Sequence, residues 1–264
     1  MHEYVAIPAS NAALAGRAVG LDIGGTGIKA AVVDLATGEL VTARIRELTP
    51  QPATPDAVLD VVASVFSSLQ ETGALTAEMP AGAGFPSVMR AGRALTSVHG
   101  SKAWIEVDVR QRLADRLGRS FVVLNDADAA GVAELAYGAG VGQAGTVLVL
   151  DLGTGIGTAL FADGRLVPNI QLGHLEVRGR DAEERLSPVA RKRRGIGLRQ
   201  WATELSELIA RYEAYLSPDL IIFGGGMAKD FPKFASSLRS KAPLVPAALG
   251  TNAGIVGAAR VAAG

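Results

Sequence analysis

Two aspartates, each running into a glycine turn that carries a threonine, are the residues of this chain best suited to chemistry. Leu21-Asp22-Ile23-Gly24-Gly25-Thr26-Gly27-Ile28-Lys29 recurs in outline as Leu150-Asp151-Leu152-Gly153-Thr154-Gly155-Ile156-Gly157. Glycines at such a turn let backbone N–H groups approach an anion, and Thr26 and Thr154 each add a hydroxyl donor. A carboxylate beside that turn repels a bare phosphate. It makes sense when a Mg²⁺ ion, held by Asp22 and Asp151 through water, lies between. Either copy alone is compatible with an ordinary hairpin; two copies in one layout argue for a phosphate-handling pair.

Three further constellations carry polar groups that chemistry needs. Asn125-Asp126 follows the apolar run Phe121 to Leu124, which puts it at the carboxyl edge of a strand, where α/β folds keep their sites. Asp126 there is suited to take the proton of an alcohol as its oxygen attacks phosphorus, with Asn125 fixing the alcohol. An Asp in this position serves equally as an N-cap of the helix that follows. In Gly173-His174-Leu175-Glu176, an extended chain turns His174 and Glu176 to one side, a donor–acceptor pair for vicinal hydroxyls. Gly224-Gly225-Gly226, after the apolar run Leu220 to Phe223, suits either a backbone approach to a ligand or a plain turn. Between Arg178 and Arg199 eight basic residues stand against three acidic ones. The run, with Arg191, Lys192, Arg193 and Arg194 at its heart, reads as a solvated helix face or as a track for a polyanion.

The elements that must position these residues alternate between the two periods. Strands are expected at Val19–Ile23 and Ala30–Val33, and again at Thr146–Leu150 and Thr158–Phe161, each pair closing as a hairpin. Leu48 to Pro55 is too proline-rich for a helix or a central strand, and Thr54 followed by Pro55 marks a helix start. The spacing of Val58, Leu59, Val61, Val62, Val65, Phe66 and Leu69 predicts a helix over 56–70. Further strands are expected at Ala81–Phe85, Phe121–Leu124 and Leu220–Phe223. Helices are expected at Val107–Leu117, Ala127–Tyr137, about Gln200–Leu216, and from about Thr251 to the end. Residues 138–145 read as a glycine-rich connector. Alternating strands and helices argue for α/β lobes, divided as an extension over 1–18, a first lobe over 19–124 and a second over 125–250, with 251–264 packing back on the first.

Composition narrows the partners. The 264 residues hold 26 Lys+Arg against 26 Asp+Glu, so the overall field attracts neither nucleic acid nor an anionic membrane. The chain has no cysteine, which excludes disulfides and thiolate metal sites and fits a reducing, cytoplasmic setting. No basic n-region or long apolar core opens the sequence, so no signal peptide is expected, and no uninterrupted apolar stretch is long enough to span a membrane.

Taken as a set, Asp22 to Gly27, Leu124-Asn125-Asp126-Ala127-Asp128-Ala129-Ala130-Gly131, Gly153 to Gly157, Gly173 to Glu176 and Gly224 to Gly226 resemble the ROK sugar kinases. Thr49 to Pro55, Ala182-Glu183-Glu184-Arg185, Val245-Pro246-Ala247-Ala248 and Ala253 to Ala259 are similar to its polyphosphate glucokinase and polyphosphate/ATP glucomannokinase branch. The resemblance implies an actin/hexokinase-like (ribonuclease H-like) fold of two related lobes around a cleft. It makes Asp126 the base toward the sugar 6-hydroxyl, and puts Asn125, His174 and Glu176 on the sugar with Pro86, Ser87, His99 and Gln171. It gives the donor to Gly24, Gly25, Thr26, Gly27, Lys29, Gly153, Thr154, Gly155, Gly224, Gly225 and Gly226. It also implies Mg²⁺, a homodimer, and no zinc, because the cysteines of the wider family's zinc site are missing.

Some positions depart from that branch. Gln171 stands where a Glu is usual, Ser87 where a Gly follows the Phe-Pro pair, His99 where an Asn is usual, and Asp151 where a Thr is usual. Exchanging carboxylate for amide at Gln171 replaces a charge-assisted hydrogen bond with a neutral one, a difference of roughly 1 kcal/mol or about fivefold in affinity. The reading is therefore a kinase that moves a phosphoryl group from polyphosphate, ATP or both to the 6-hydroxyl of glucose or a close hexose. The alternative is a catalytically weak sugar-binding homologue. A DNA-binding repressor of the same family would need a further module before the first motif, ahead of which only about eighteen residues stand.

Overall fold

A computed structural model of the chain describes residues 16–98 and 100–264. These form two compact units, one of residues 16–133 with Asn252–Gly264, the other Glu134–Thr251.

The N-terminal unit opens with the hairpin β1 (Arg17–Ile23) and β2 (Ile28–Asp34), followed by β3 (Ile45–Glu47), α1 (Pro55–Glu71) and β4 (Ala81–Phe85). A small hairpin, β5 (Met89–Arg90) with β6 (Arg93–Ala94), leads to α2 (Val109–Leu117), β7 (Val122–Asn125) and α3 (Asp126–Tyr137). The sheet order is β3-β2-β1-β4-β7, with β1 antiparallel to β2 and parallel to β4, and β4 parallel to β7. Helix α1 buries Val58, Leu59, Val62, Val65, Phe66 and Leu69, the stripe its spacing predicts. Thr54 holds the N-cap position with extended backbone and Pro55 opens the helix, but the Thr54 hydroxyl makes no cap hydrogen bond. Helix α2 starts two residues later than its apolar pattern implies, because the Asp108 side chain accepts from Gln111 N–H and fixes the boundary there.

The C-terminal unit repeats the plan. Its elements are β8 (Thr146–Leu152), β9 (Ile156–Ala162), β10 (Arg165–Val167), the short pair β11 (Glu176–Val177) and β12 (Arg180–Asp181), α4 (Ala182–Leu186), α5 (Pro188–Arg193), α6 (Leu198–Leu216), β13 (Leu220–Gly224), α7 (Phe231–Phe234) and β14 (Leu244–Pro246). The order β10-β9-β8-β13-β14, with β8 antiparallel to β9 and parallel to β13, matches the first sheet strand for strand. Helix α6 covers this sheet through Trp201, Leu205, Leu208, Ile209 and Tyr212. The indole of Trp201 donates to the Leu186 carbonyl at 2.6 Å.

The last helix, α8 (Ala253–Ala262), belongs to the N-terminal unit. A Cβ on Gly20 would meet the Ile255 carbonyl at 1.9 Å and one on Gly82 the Ala258 carbonyl at 1.9 Å. Backbone therefore lies directly on β1 and β4, which is why this helix is built of alanine and glycine. The division between units falls inside α3 and not at the strand end by Asn125. Residues at the start of α3 pack on β4 and α8, whereas the buried Glu134 carboxylate accepts from the N–H groups of Ala139, Ala248 and Leu249. Among the described residues, no helix is long and apolar enough to cross a membrane.

Candidate active site

In the N-terminal unit the chemistry-bearing residues gather at the carboxyl ends of β1, β4 and β7. Asp22 lies beside Gly84 of β4, Gly84 beside Leu124 of β7, and Phe85 beside Asn125. Parallel strands of one sheet thus bring Asp22, Pro86, Ser87, Asn125 and Asp126 to one edge, the place where such folds bind ligands.

Asp22 is buried and paired with Lys29 across the hairpin at 2.6 Å. The turn between them closes through Gly24 N–H donating to the Gly27 carbonyl, and the Thr49 hydroxyl donates to the Gly24 carbonyl. Thr26 is exposed at the tip. Arg46, opposite Lys29 on β3, donates to the Thr26 carbonyl at 3.1 Å and lies against Gly27. Arg46 and Thr49 escape sequence reasoning because only the third strand of the hairpin sheet brings them to the turn.

At β7 the two candidate roles separate. The Asn125 side-chain oxygen accepts from Ala127 N–H at 2.9 Å and Asp128 N–H at 3.1 Å, so Asn125 caps α3, and its amide donates to the Ser87 carbonyl. With its oxygen and one N–H so engaged, the amide has one further N–H to offer a ligand. Asp126 is the first residue of α3, half-buried, with one oxygen 2.9 Å from Ala127 N. The buried Ser87 hydroxyl is committed to the backbone and hydroxyl of Thr96, so Ser87 holds the neighbouring hairpin and reaches Asn125 by its carbonyl. Pro86 is half-buried beside it; His99 lies outside the described residues.

In the C-terminal unit Gly224 pairs with Asp151 in register, so the second turn, Gly153-Thr154-Gly155, and the triplet Gly224-Gly225-Gly226 share one edge. Gly225 has φ +68°, and a Cβ there would meet the Asp151 Oδ1 at 2.2 Å; this position requires glycine. Among the described residues no three His, Cys, Asp or Glu side chains converge as a metal cage. Each unit places one carboxylate, Asp22 or Asp151, beside its glycine turn.

Gln171 and His174 flank a 3₁₀ turn, Leu172–His174, so the segment is tighter than an extended chain, and Glu176 follows on β11. All three are exposed. The turn is pinned from below: the Thr158 hydroxyl donates to the Ile170 carbonyl and accepts from Leu172 N–H, and the Tyr212 hydroxyl donates to the Leu172 carbonyl. Burial pushes the Tyr212 phenol far above its ordinary range, so it stays a neutral donor. His174 Nδ1 lies 2.8 Å from Asp181 Oδ2.

The basic run starts just before β12 and is divided over β12, α4, α5 and the start of α6. Arg194 makes a two-pronged pair with Glu204, which Arg185 also reaches at 3.3 Å. Arg193 donates to the Glu184 carbonyl and Arg191 to the Ile196 carbonyl. Lys192 is exposed.

The ROK family pattern matches residues 18–183. Polyphosphate glucokinase of Mycobacterium tuberculosis (strain CDC 1551 / Oshkosh) is 42% identical over 241 residues, 91% of this chain and 89% of the relative. The crystal structure of inorganic polyphosphate/ATP-glucomannokinase from Arthrobacter sp. strain KM superposes with a TM-score of 0.88 at 46% identity, covering 94% of this chain and 98% of that one. A ROK family glucokinase from Streptomyces griseus shares the fold, with a TM-score of 0.75 at 23% identity over 92% and 98% of the two chains. The duplicated sheet, the paired glycine turns and these likenesses agree: the fold is of the actin/hexokinase type, and the chain belongs to the ROK family.

Proposed function

We propose that this protein phosphorylates the 6-hydroxyl of glucose or a closely related hexose, with inorganic polyphosphate, ATP or both as donor. The similarity to the mycobacterial glucokinase and the Arthrobacter glucomannokinase supports the substrate class. The observation that carries the chemistry is the division of labour at β7. Asn125 caps α3 through the N–H groups of Ala127 and Asp128, of which Asp126 shares only the first, and the Asp126 carboxylate can act as base at the sheet edge that also holds the first glycine turn.

In the reaction the sugar O6–H proton passes to Asp126 as O6 bonds to the terminal phosphorus. The bond from that phosphorus to its bridging oxygen breaks, and the shortened polyphosphate or ADP leaves. Asn125, Gln171, His174 and Glu176 orient the sugar hydroxyls. Backbone N–H groups of residues 25–27, 153–155 and 224–226, with Lys29, hold the donor phosphates. Asp22 and Asp151 are the residues that would hold Mg²⁺, which would supply charge neutralisation on the donor. The same reading makes the protein a cytoplasmic homodimer with Arg191, Lys192 and Arg193 lying along a long polyphosphate; it rests on the family resemblance and on the charge of that segment.

The test is product formation across glucose, mannose, glucosamine and N-acetylated sugars against ATP, GTP and polyphosphate. Phosphorylation of a hexose at C6 with at least one donor is the expected result. Hexose binding by calorimetry with no turnover on any donor would instead establish the sugar-binding alternative.

A further inference from the structure

The start of one short helix touches both the sugar-side histidine and the second donor turn, through Asp181 at its N-cap and Glu183 in its first turn. Asp181 precedes α4 and divides its oxygens. Oδ1 accepts from the N–H groups of Glu183 at 2.8 Å and Glu184 at 3.3 Å, capping the helix, while Oδ2 lies 2.8 Å from His174 Nδ1. Its backbone pairs with Glu176, and Ala182 N–H donates to the Leu175 carbonyl. The whole sugar-side segment is therefore referred to this one residue. Two residues on, Glu183 Oε2 accepts from Ile156 N–H at 2.8 Å, immediately after the donor turn. A Cβ on Gly155 would sit 2.2 Å from that oxygen, so a glycine is what admits the carboxylate.

We propose that Asp181 and Glu183 are positioning residues for the reaction: Asp181 sets the tautomer and orientation of His174 for the sugar, and Glu183 sets the second donor turn. The argument rests on the kinase reading above for what His174 and the turn bind. A carboxylate only accepts, so the imidazole proton belongs on Nδ1, and Nε2 is left to accept from a sugar hydroxyl. A second carboxylate holding the outer nitrogen of a ligating histidine is a general device for fixing which nitrogen faces the ligand. Glu183 fixes the path of the chain leaving Gly155, and with it the direction in which the turn's other N–H groups face. Because Asp181 is the N-cap of α4 and Glu183 lies in its first turn, the two half-sites of this unit are held in register at the start of a single helix.

The variants separate the two arms. Asp181→Asn keeps an oxygen to cap α4, since Asn is as good an N-cap as Asp, but removes the charge from His174. It is expected to raise the hexose KM about fivefold with the donor KM little changed. Glu183→Ala leaves the Ile156 N–H unpaired and is expected to raise the donor KM roughly tenfold with the hexose KM little changed, and Glu183→Gln, whose amide oxygen accepts the same bond, is expected to restore it. Independently of turnover, long-range ¹⁵N–¹H spectra of His174 are expected to show the Nδ1–H tautomer in the native protein and a mixture in Asp181→Asn. An unchanged tautomer in Asp181→Asn, or equal effects of the Asp181 and Glu183 variants on both KM values, would overturn the proposal. If the native protein phosphorylated no hexose, the kinase reading would fall, while the tautomer would still judge Asp181.

Discussion

At the scale of single residues, the decisive exchange is between neighbours at the end of β7. Asn and Asp are equally good helix caps, and sequence alone does not say which of Asn125 and Asp126 does the capping. In the structure Asn125 takes the helix N–H groups and the Ser87 carbonyl. Asp126→Asn is accordingly expected to lower turnover at least about a hundredfold with the melting temperature and calorimetric sugar binding largely retained; near-native turnover would remove Asp126 from the chemistry. Gln171 sits at the start of a 3₁₀ turn whose backbone is pinned by Thr158 and Tyr212, so changing its side chain leaves its placement intact. Gln171→Glu is expected to tighten glucose binding about fivefold by restoring a charge-assisted hydrogen bond. No change in the affinity for any hexose would take this side chain out of the sugar site.

At the scale of elements, what periodicity and strand chemistry can encode was legible, and what depends on a third element was not. The α1 stripe, β4 and the paired hairpins follow from local patterns. Arg46 at the first turn, Glu183 at the second and Asp181 beside His174 depend on which strand or helix folds alongside, a contact that periodicity does not encode. The basic run illustrates the same limit. Its composition reads as a uniform track, but folding commits Arg194 to Glu204. The Arg194 hydrogen bond, opposed by partial burial and aided by charge attraction and by Arg185, holds the Glu204 carboxyl below its ordinary value of 4.5. A carboxyl depressed in the folded state contributes stability above its unfolded pKa and loses it as pH falls through its folded value. Arg194→Ser is therefore expected to lower the melting temperature at neutral pH, with the difference from the native protein shrinking as the solution is acidified below the ordinary glutamate range. Replacing Arg191, Lys192 and Arg193 with Ser is expected instead to raise the KM for long polyphosphate more than that for ATP and to flatten its salt dependence, because a long polyanion releases counterions. Equal changes for both donors would reduce the segment to a solvated surface.

At the scale of the whole molecule, one sheet plan is used twice, and the two copies differ where it matters. Asp22 and Asp151 each stand one residue before the end of the first strand of an antiparallel three, with a parallel strand on the other side. Across the hairpin, however, Asp22 faces Lys29 and is paired with it at 2.6 Å, whereas Asp151 faces Gly157. The lysine holds the Asp22 carboxylate. Removing the Asp22 carboxylate is therefore expected to act on the first turn in two ways, by taking away its charge and by releasing Lys29. Asp22→Asn, which frees Lys29, should chiefly alter the donor KM. A donor KM unchanged in Asp22→Asn would mean that the Asp22–Lys29 pair does not bear on the donor.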